Sequence, residues 1–83
     1  MLSIKILGSG CENCRKVEAE ARAAVEALGV AAEFEKVTDY GEMMRYNILA
    51  TPGLVINEKL VAAGRIPNRN EIMVWVNRAL APA

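Results

Sequence analysis

Leu2-Ser3-Ile4-Lys5-Ile6-Leu7-Gly8-Ser9-Gly10-Cys11-Glu12-Asn13-Cys14 is the stretch on which the reading of this chain turns. Leu2, Ile4 and Ile6 alternate with Ser3 and Lys5, the period of a strand with one buried face. Gly8-Ser9-Gly10 breaks the alternation. From Cys14 onward the apolar positions are Val17, Ala21, Ala24, Val25 and Leu28, one face of a helix closed by Gly29. Ala31 to Val37, centred on Phe34, reads as a second strand. The two cysteines therefore sit where a strand hands over to a helix inside a β-α-β unit. In a cytosolic chain, CxxC in that setting is a redox motif.

The spacing has a geometric reason. Residues three apart on a helix carry Cβ atoms ~5–6 Å from each other, a small adjustment away from disulfide distance. At roughly 100° per residue, Cys14 lies at the edge of the apolar stripe and Cys11 about 60° further round. A buried Cys14 and a reachable Cys11 are expected. Unpaired amides of the first turn point toward Cys11, and the helix dipole favours an anion there. Such sites lower a thiol pKa from ≈ 8.5 toward ≈ 7, which raises the thiolate fraction at pH 7 from about 3% to about half. Cys11 is thus the expected nucleophile and Cys14 the resolving thiol. Arg15 and Lys16 add positive potential, and Glu12 opposes it.

Other readings of the pair stay open at this point. As a structural staple, so short a loop removes only roughly 2 kcal/mol of denatured-state entropy. Soft ions accept thiolates with few other ligands, so a soft-metal or metalloid carrier or sensor is the alternative function. Two inert cysteines are the third reading, although Cys11 lies off the apolar stripe.

Outward from this unit, Asp39 with Glu42 three residues on resembles a capping box, and Tyr40, Met43, Met44 and Ile48 give one face of a short second helix. Thr51-Pro52-Gly53 punctuates the chain before Leu54-Val55-Ile56. Asn57-Glu58-Lys59 is a turn, and Leu60 to Ala63 returns as a fourth strand, making a hairpin. Asn68 with Glu71 caps a last helix whose apolar face is Ile72, Trp75, Val76, Ala79 and Leu80, stopped before Pro82. Glu12, Arg15, Lys16, Glu18 and Glu20 read as a solvated helix face. The order is β-α-β-α-β-β-α, an α/β fold with one mixed four-stranded sheet flanked by three helices. Its first two strands should be parallel and its last pair antiparallel.

The composition narrows function further. The 83 residues form a single expected domain, residues 1–83, because so short a chain has no room for two cores. Ten Lys plus Arg balance ten Asp plus Glu, so no positive excess exists to hold nucleic acid. The absence of His removes His-based zinc sites and every triad with a His base. No stretch approaches the ~18 apolar residues of a membrane span. The start of the chain reaches Gly8 too soon for the apolar region of a signal peptide. A cytoplasmic monomer that uses neither metal nor membrane is expected.

At these residues the chain resembles the thioredoxin-fold superfamily, most closely the small thioredoxin-like or glutaredoxin-like proteins called redox-active disulfide protein 2. The resemblance spans the chain and is carried by Ile4 to Cys14, Lys36-Val37-Thr38-Asp39, Thr51-Pro52-Gly53-Leu54-Val55-Ile56-Asn57 and Gly64-Arg65-Ile66-Pro67. It implies a thiol–disulfide oxidoreductase with no cofactor beyond the Cys11–Cys14 disulfide. It also implies a disulfide-bearing protein or small thiol as substrate, and an upstream reductase. Pro52 should be cis and lie against the cysteines, leaving the backbone of Thr51 free to hydrogen-bond an extended substrate, with Gly10 part of the same surface. Thioredoxins proper carry Trp before the first Cys and Gly-Pro between the pair; Gly10 and Glu12-Asn13 stand there in this chain.

Overall fold

β1 (Leu2–Leu7) forms the spine of the molecule, paired on both sides in a four-stranded sheet of order β2-β1-β3-β4. The computed structural model describes residues 2–81. The elements follow β1 as α1 (Glu12–Leu28), β2 (Ala32–Val37), α2 (Tyr40–Met44), β3 (Gly53–Ile56), β4 (Lys59–Ala63) and α3 (Arg69–Leu80). β2 runs parallel to β1, with Leu7 opposite Val37. β3 is antiparallel to β1, with Leu7 opposite Gly53, and β4 is antiparallel to β3.

The alternation of β1 decides what each face of the sheet buries. Leu2, Ile4 and Ile6 point into the larger core with Val17, Ala21 and Ala24 of α1 and Ile72 and Val76 of α3. Leu7 points the other way, into a smaller core with Val37, Met43, Ile48 and Val55. Burying a side chain of this size contributes about 1.5–3 kcal/mol, so β1 is the best-anchored strand. At its far end Gly29 closes α1 in the left-handed conformation, φ 66°, and its N–H bonds the carbonyl of Glu26.

α2 departs from expectation. Asp39 Oδ2 accepts the Glu42 amide at 3.0 Å, but the Glu42 carboxylate turns to Arg45 Nη1 at 3.1 Å, so half of the capping box is present. The helix stops after five residues, and Asn47 beyond it takes φ 56°. One turn cannot present a face from Tyr40 to Ile48. Met43 is buried from the helix and Ile48 from the loop after it, while Tyr40 is 73% and Met44 42% exposed.

The hairpin turn is tighter than the sequence suggests. Asn57 and Glu58 both take positive φ, 49° and 68°, the requirement of a two-residue turn that matches strand twist, and Lys59 already belongs to β4. α3 carries a complete capping box between Asn68 and Glu71. Only Ile72 and Val76 of its expected face are fully buried. Trp75 lies half-buried on the flank, and Ala79 and Leu80, in the last turn, face solvent. The expected stop at Pro82 lies outside the described residues.

Two substitutions in α3 separate these environments. Ile72→Ala is expected to lower unfolding free energy by about 2–5 kcal/mol, and Leu80→Ala by no more than about 0.5 kcal/mol, in urea titrations.

Candidate functional site

Cys11 is the N-cap of α1 and takes extended backbone angles, φ −70° and ψ 171°. Its sulfur does the work normally given to a Ser, Thr or Asp oxygen: the Cys14 amide donates to Cys11 Sγ at 3.3 Å. The Cys14 sulfur approaches the same atom at 2.7 Å. The two side chains differ sharply in access. Cys11 is exposed, whereas Cys14 is 4% exposed and packs into the larger core.

Two glycines shape this corner. Gly10 takes φ 83°, a conformation other residues adopt with strain, and so turns the chain from β1 into the helix. Gly8 is buried at the end of β1, where a Cβ would run into Cys14 Sγ. Its N–H also prolongs the parallel ladder, donating to the carbonyl of Val37 at 3.0 Å. The break that Gly8-Ser9-Gly10 makes in the strand pattern does not reveal that Gly8 makes room for the second sulfur. Nothing in spacing separates that role from an ordinary turn glycine.

The pair is electrostatically asymmetric. Hydrogen bonding from the Cys14 thiol, then from the Cys14 amide, holds Cys11 below the ordinary thiol value. Burial pushes the Cys14 thiol up, and the hydrogen bond it gives to Cys11 pushes it further the same way.

The third segment comes from the β1–β3 register. Leu7 opposite Gly53 brings Thr51-Pro52 to the end of the sheet from which the Gly8–Cys11 loop departs. The Thr51–Pro52 peptide is cis; Pro52 is buried and Thr51 exposed. The Pro52 carbonyl accepts the Gly64 amide at 2.9 Å, which ties this loop to the end of β4. Glu18, read as solvated, is not: its side chain is 15% exposed and bridges Arg22 and Lys36.

Among the described residues, no three His, Cys, Asp or Glu side chains group as metal ligands, so the two sulfurs would leave a tetrahedral ion half-coordinated. No helix there is long and apolar enough to cross a membrane.

A dithiol poised between a strand and a helix, in a sheet of this order, defines a thiol–disulfide oxidoreductase of the thioredoxin fold. Residues 2–77 match the family model described as the thioredoxin domain, and the chain belongs to that family. It is 40% identical over 72 residues to a thioredoxin of Methanothermobacter thermautotrophicus, covering 87% of this chain and 94% of that one. A thioredoxin of Methanocaldococcus jannaschii is 39% identical, with 87% and 83% covered. The fold also matches that of thioredoxin-2 of the malaria parasite, with a TM-score of 0.66 at 13% identity, over 94% of this chain and 82% of the other.

The asymmetry makes a signed prediction. The pH profile of Cys11 alkylation by iodoacetamide should have its midpoint below that of free cysteine. Cys14→Ala removes the largest cause of that lowering, so its midpoint should move upward; a midpoint unmoved or lower would place the cause elsewhere.

Proposed function

We propose that Cys11 is the nucleophile of this oxidoreductase, Cys14 its resolving thiol, and Gly10, Thr51 and Pro52 the surface on which substrate lies. One observation carries the reading: the sulfur that accepts the helix-terminal amide is also the exposed one. The Cys11 thiolate attacks a substrate disulfide, and one substrate sulfur leaves with the electron pair of the broken bond. A mixed disulfide joins Cys11 to the other sulfur. Cys14 then attacks Cys11, the second substrate sulfur leaves, and the internal disulfide closes. Two electrons and two protons pass from protein to substrate, and the cysteine pair carries them without a bound cofactor.

The substrate class is a disulfide-bearing protein or a small disulfide, with a separate reductase returning the two electrons, in the cytoplasm. An extended substrate chain would pair with the main chain of Thr51. The exposure of Thr51 above a buried Pro52 supports this, since the buried ring fixes the loop while leaving its outer edge open. The chain's net charge of zero supports recognition by contact in preference to long-range attraction.

Single-cysteine variants test the roles. Cys14→Ser should accumulate a stable mixed disulfide with a small disulfide probe, detected by intact mass, and Cys11→Ser should not. Equal trapping by both variants would refute the assignment. Stoichiometric retention of a soft metal by anaerobically purified protein without disulfide turnover would instead favour the carrier reading.

A further inference from the structure

A cavity of about 420 Å³ lies between the second half of α3 and the β3–β4 hairpin. It stands at the far end of the sheet from the cysteines. β3 starts at Gly53, opposite Leu7, and the cavity begins where that strand ends, at Ile56 and Asn57. Its volume falls within the roughly 300–1,000 Å³ of small-molecule sites. Ile56 and Val61, which belong to the larger core or pack against it, and the half-buried Trp75 give it apolar walls. The indole is fixed from outside the cavity. The Arg65 guanidinium stands over it, 5.7 Å from the ring centroid, and is itself tied to the Glu71 carboxylate by hydrogen bonds of 2.8 and 3.3 Å.

The polar side chains at this cavity all offer hydrogen. Lys59 and Arg78 line it, and neither forms an ion pair among the described residues. The side-chain oxygen of Asn57 is spent on the Ser3 amide at 2.9 Å, which fixes the side chain and leaves its NH2 group to donate. Glu58, the neighbouring acid in sequence, is committed elsewhere: its carboxylate binds Lys5 Nζ at 2.7 Å and the Tyr46 hydroxyl at 2.9 Å. No carboxylate lines the cavity. In a chain of zero net charge this is a local positive field beside an aromatic wall. The combination selects its occupant. A nucleic-acid strand needs a row of cations, and one pair does not supply it. A neutral apolar molecule leaves both cations unused, and a bare inorganic anion leaves the indole wet. A flat ring system that carries one acidic group satisfies both parts of the wall.

We propose that this cavity binds a small aromatic anion, its ring against Trp75 and its carboxylate or phosphate held by Lys59 and Arg78. The stems of those two side chains extend the apolar wall while their charged heads stay at the rim. Little order is lost on binding, because the indole and Asn57 are already held by other residues. The ligand lies at the opposite end of β3 from the sulfurs and exchanges no electrons with them. It is a second, non-redox function of the chain, carried by α3 and the hairpin.

The test titrates the reduced chain with naphthoate and, separately, with adenosine monophosphate, followed in proton–nitrogen correlation spectra. Trp75 is the only Trp, so its indole N–H is a single unambiguous reporter. At least one probe should shift that resonance and the amides of Asn57, Lys59 and Val61 saturably, with a Kd of about 1 mM or below. The tighter probe assigns the acidic group as carboxylate or phosphate. Naphthalene methanol, the ring without the charge, and inorganic phosphate, the charge without the ring, should each bind at least about fivefold more weakly. Lys59→Gln combined with Arg78→Gln, both on exposed side chains, should weaken the better probe at least about fivefold and leave disulfide exchange by Cys11 unchanged. The proposal is overturned if neither probe saturates the Trp75 shift by about 10 mM, or if the neutral ring binds as tightly as naphthoate. Unchanged affinity in the double variant, or shifts centred on Cys11 and Thr51, overturns it equally.

Discussion

The hydrogen bond from the first-turn amide of α1 to the sulfur of Cys11 is the interaction around which the molecule is arranged. A helix leaves its first amides without partners, and a thiolate placed on them meets both hydrogen-bond donors and the positive end of the helix dipole. Sulfur is a long and weak acceptor as a thiol and a much better one as an anion. Capping the helix and ionising the nucleophile are therefore the same event. This requires the chain to enter α1 in an extended conformation at Cys11, immediately after a turn that only Gly10 makes without strain.

What the rest of the fold supplies is fixity. β1 is paired on both sides and buried on both faces, so its last residue, Leu7, is held by Val37 on one side and Gly53 on the other. The same two pairings bring β2, with Lys36, and the Thr51–Pro52 loop, with its tie to Gly64, to the end where α1 begins. A loop that departs from a well-anchored strand is itself well placed, which is what a site needs if its geometry is to persist between turnovers. The short α2 finishes the opposite face, and the small core beneath it buries Leu7 and Val37 at this same end.

The architecture was legible because the strongest patterns lay in the elements that define it. Leu2, Ile4 and Ile6 on β1 and Val17, Ala21, Ala24 and Val25 on α1 announce their periods, and all of them are buried. The reading failed where an element was too short for its period to mean anything. Four apolar residues from Tyr40 to Ile48 suggest a helix face, but the chain leaves the helix at Met44, and burial is then decided residue by residue. Trp75, Ala79 and Leu80 failed for another reason: periodicity predicts which way a residue points, whereas cover depends on what lies opposite. At the site, CxxC announced the chemistry. Two residues around it were silent: Gly8, whose missing Cβ is occupied by sulfur, and Glu18, whose partner Lys36 lies on a strand far away in sequence.

The opposed environments of the two cysteines explain why a pair of identical groups behaves as a directed device. Were both thiols exposed at the helix end, both would ionise readily, and two adjacent thiolates would repel each other and compete for substrate. Were both buried, neither would reach a substrate or lose a proton. Here each shift reinforces the other, because the proton that Cys14 retains is the one it lends to Cys11 as a hydrogen bond. The pair consequently titrates as a unit: the first proton lost leaves a shared, hydrogen-bonded anion centred on Cys11, and the second leaves only with difficulty. Once Cys11 is spent in a mixed disulfide, that hydrogen bond has lost its anionic acceptor. One of the two causes that kept the proton on Cys14 is gone at the moment when Cys14 has to release it, and burial, the larger, remains.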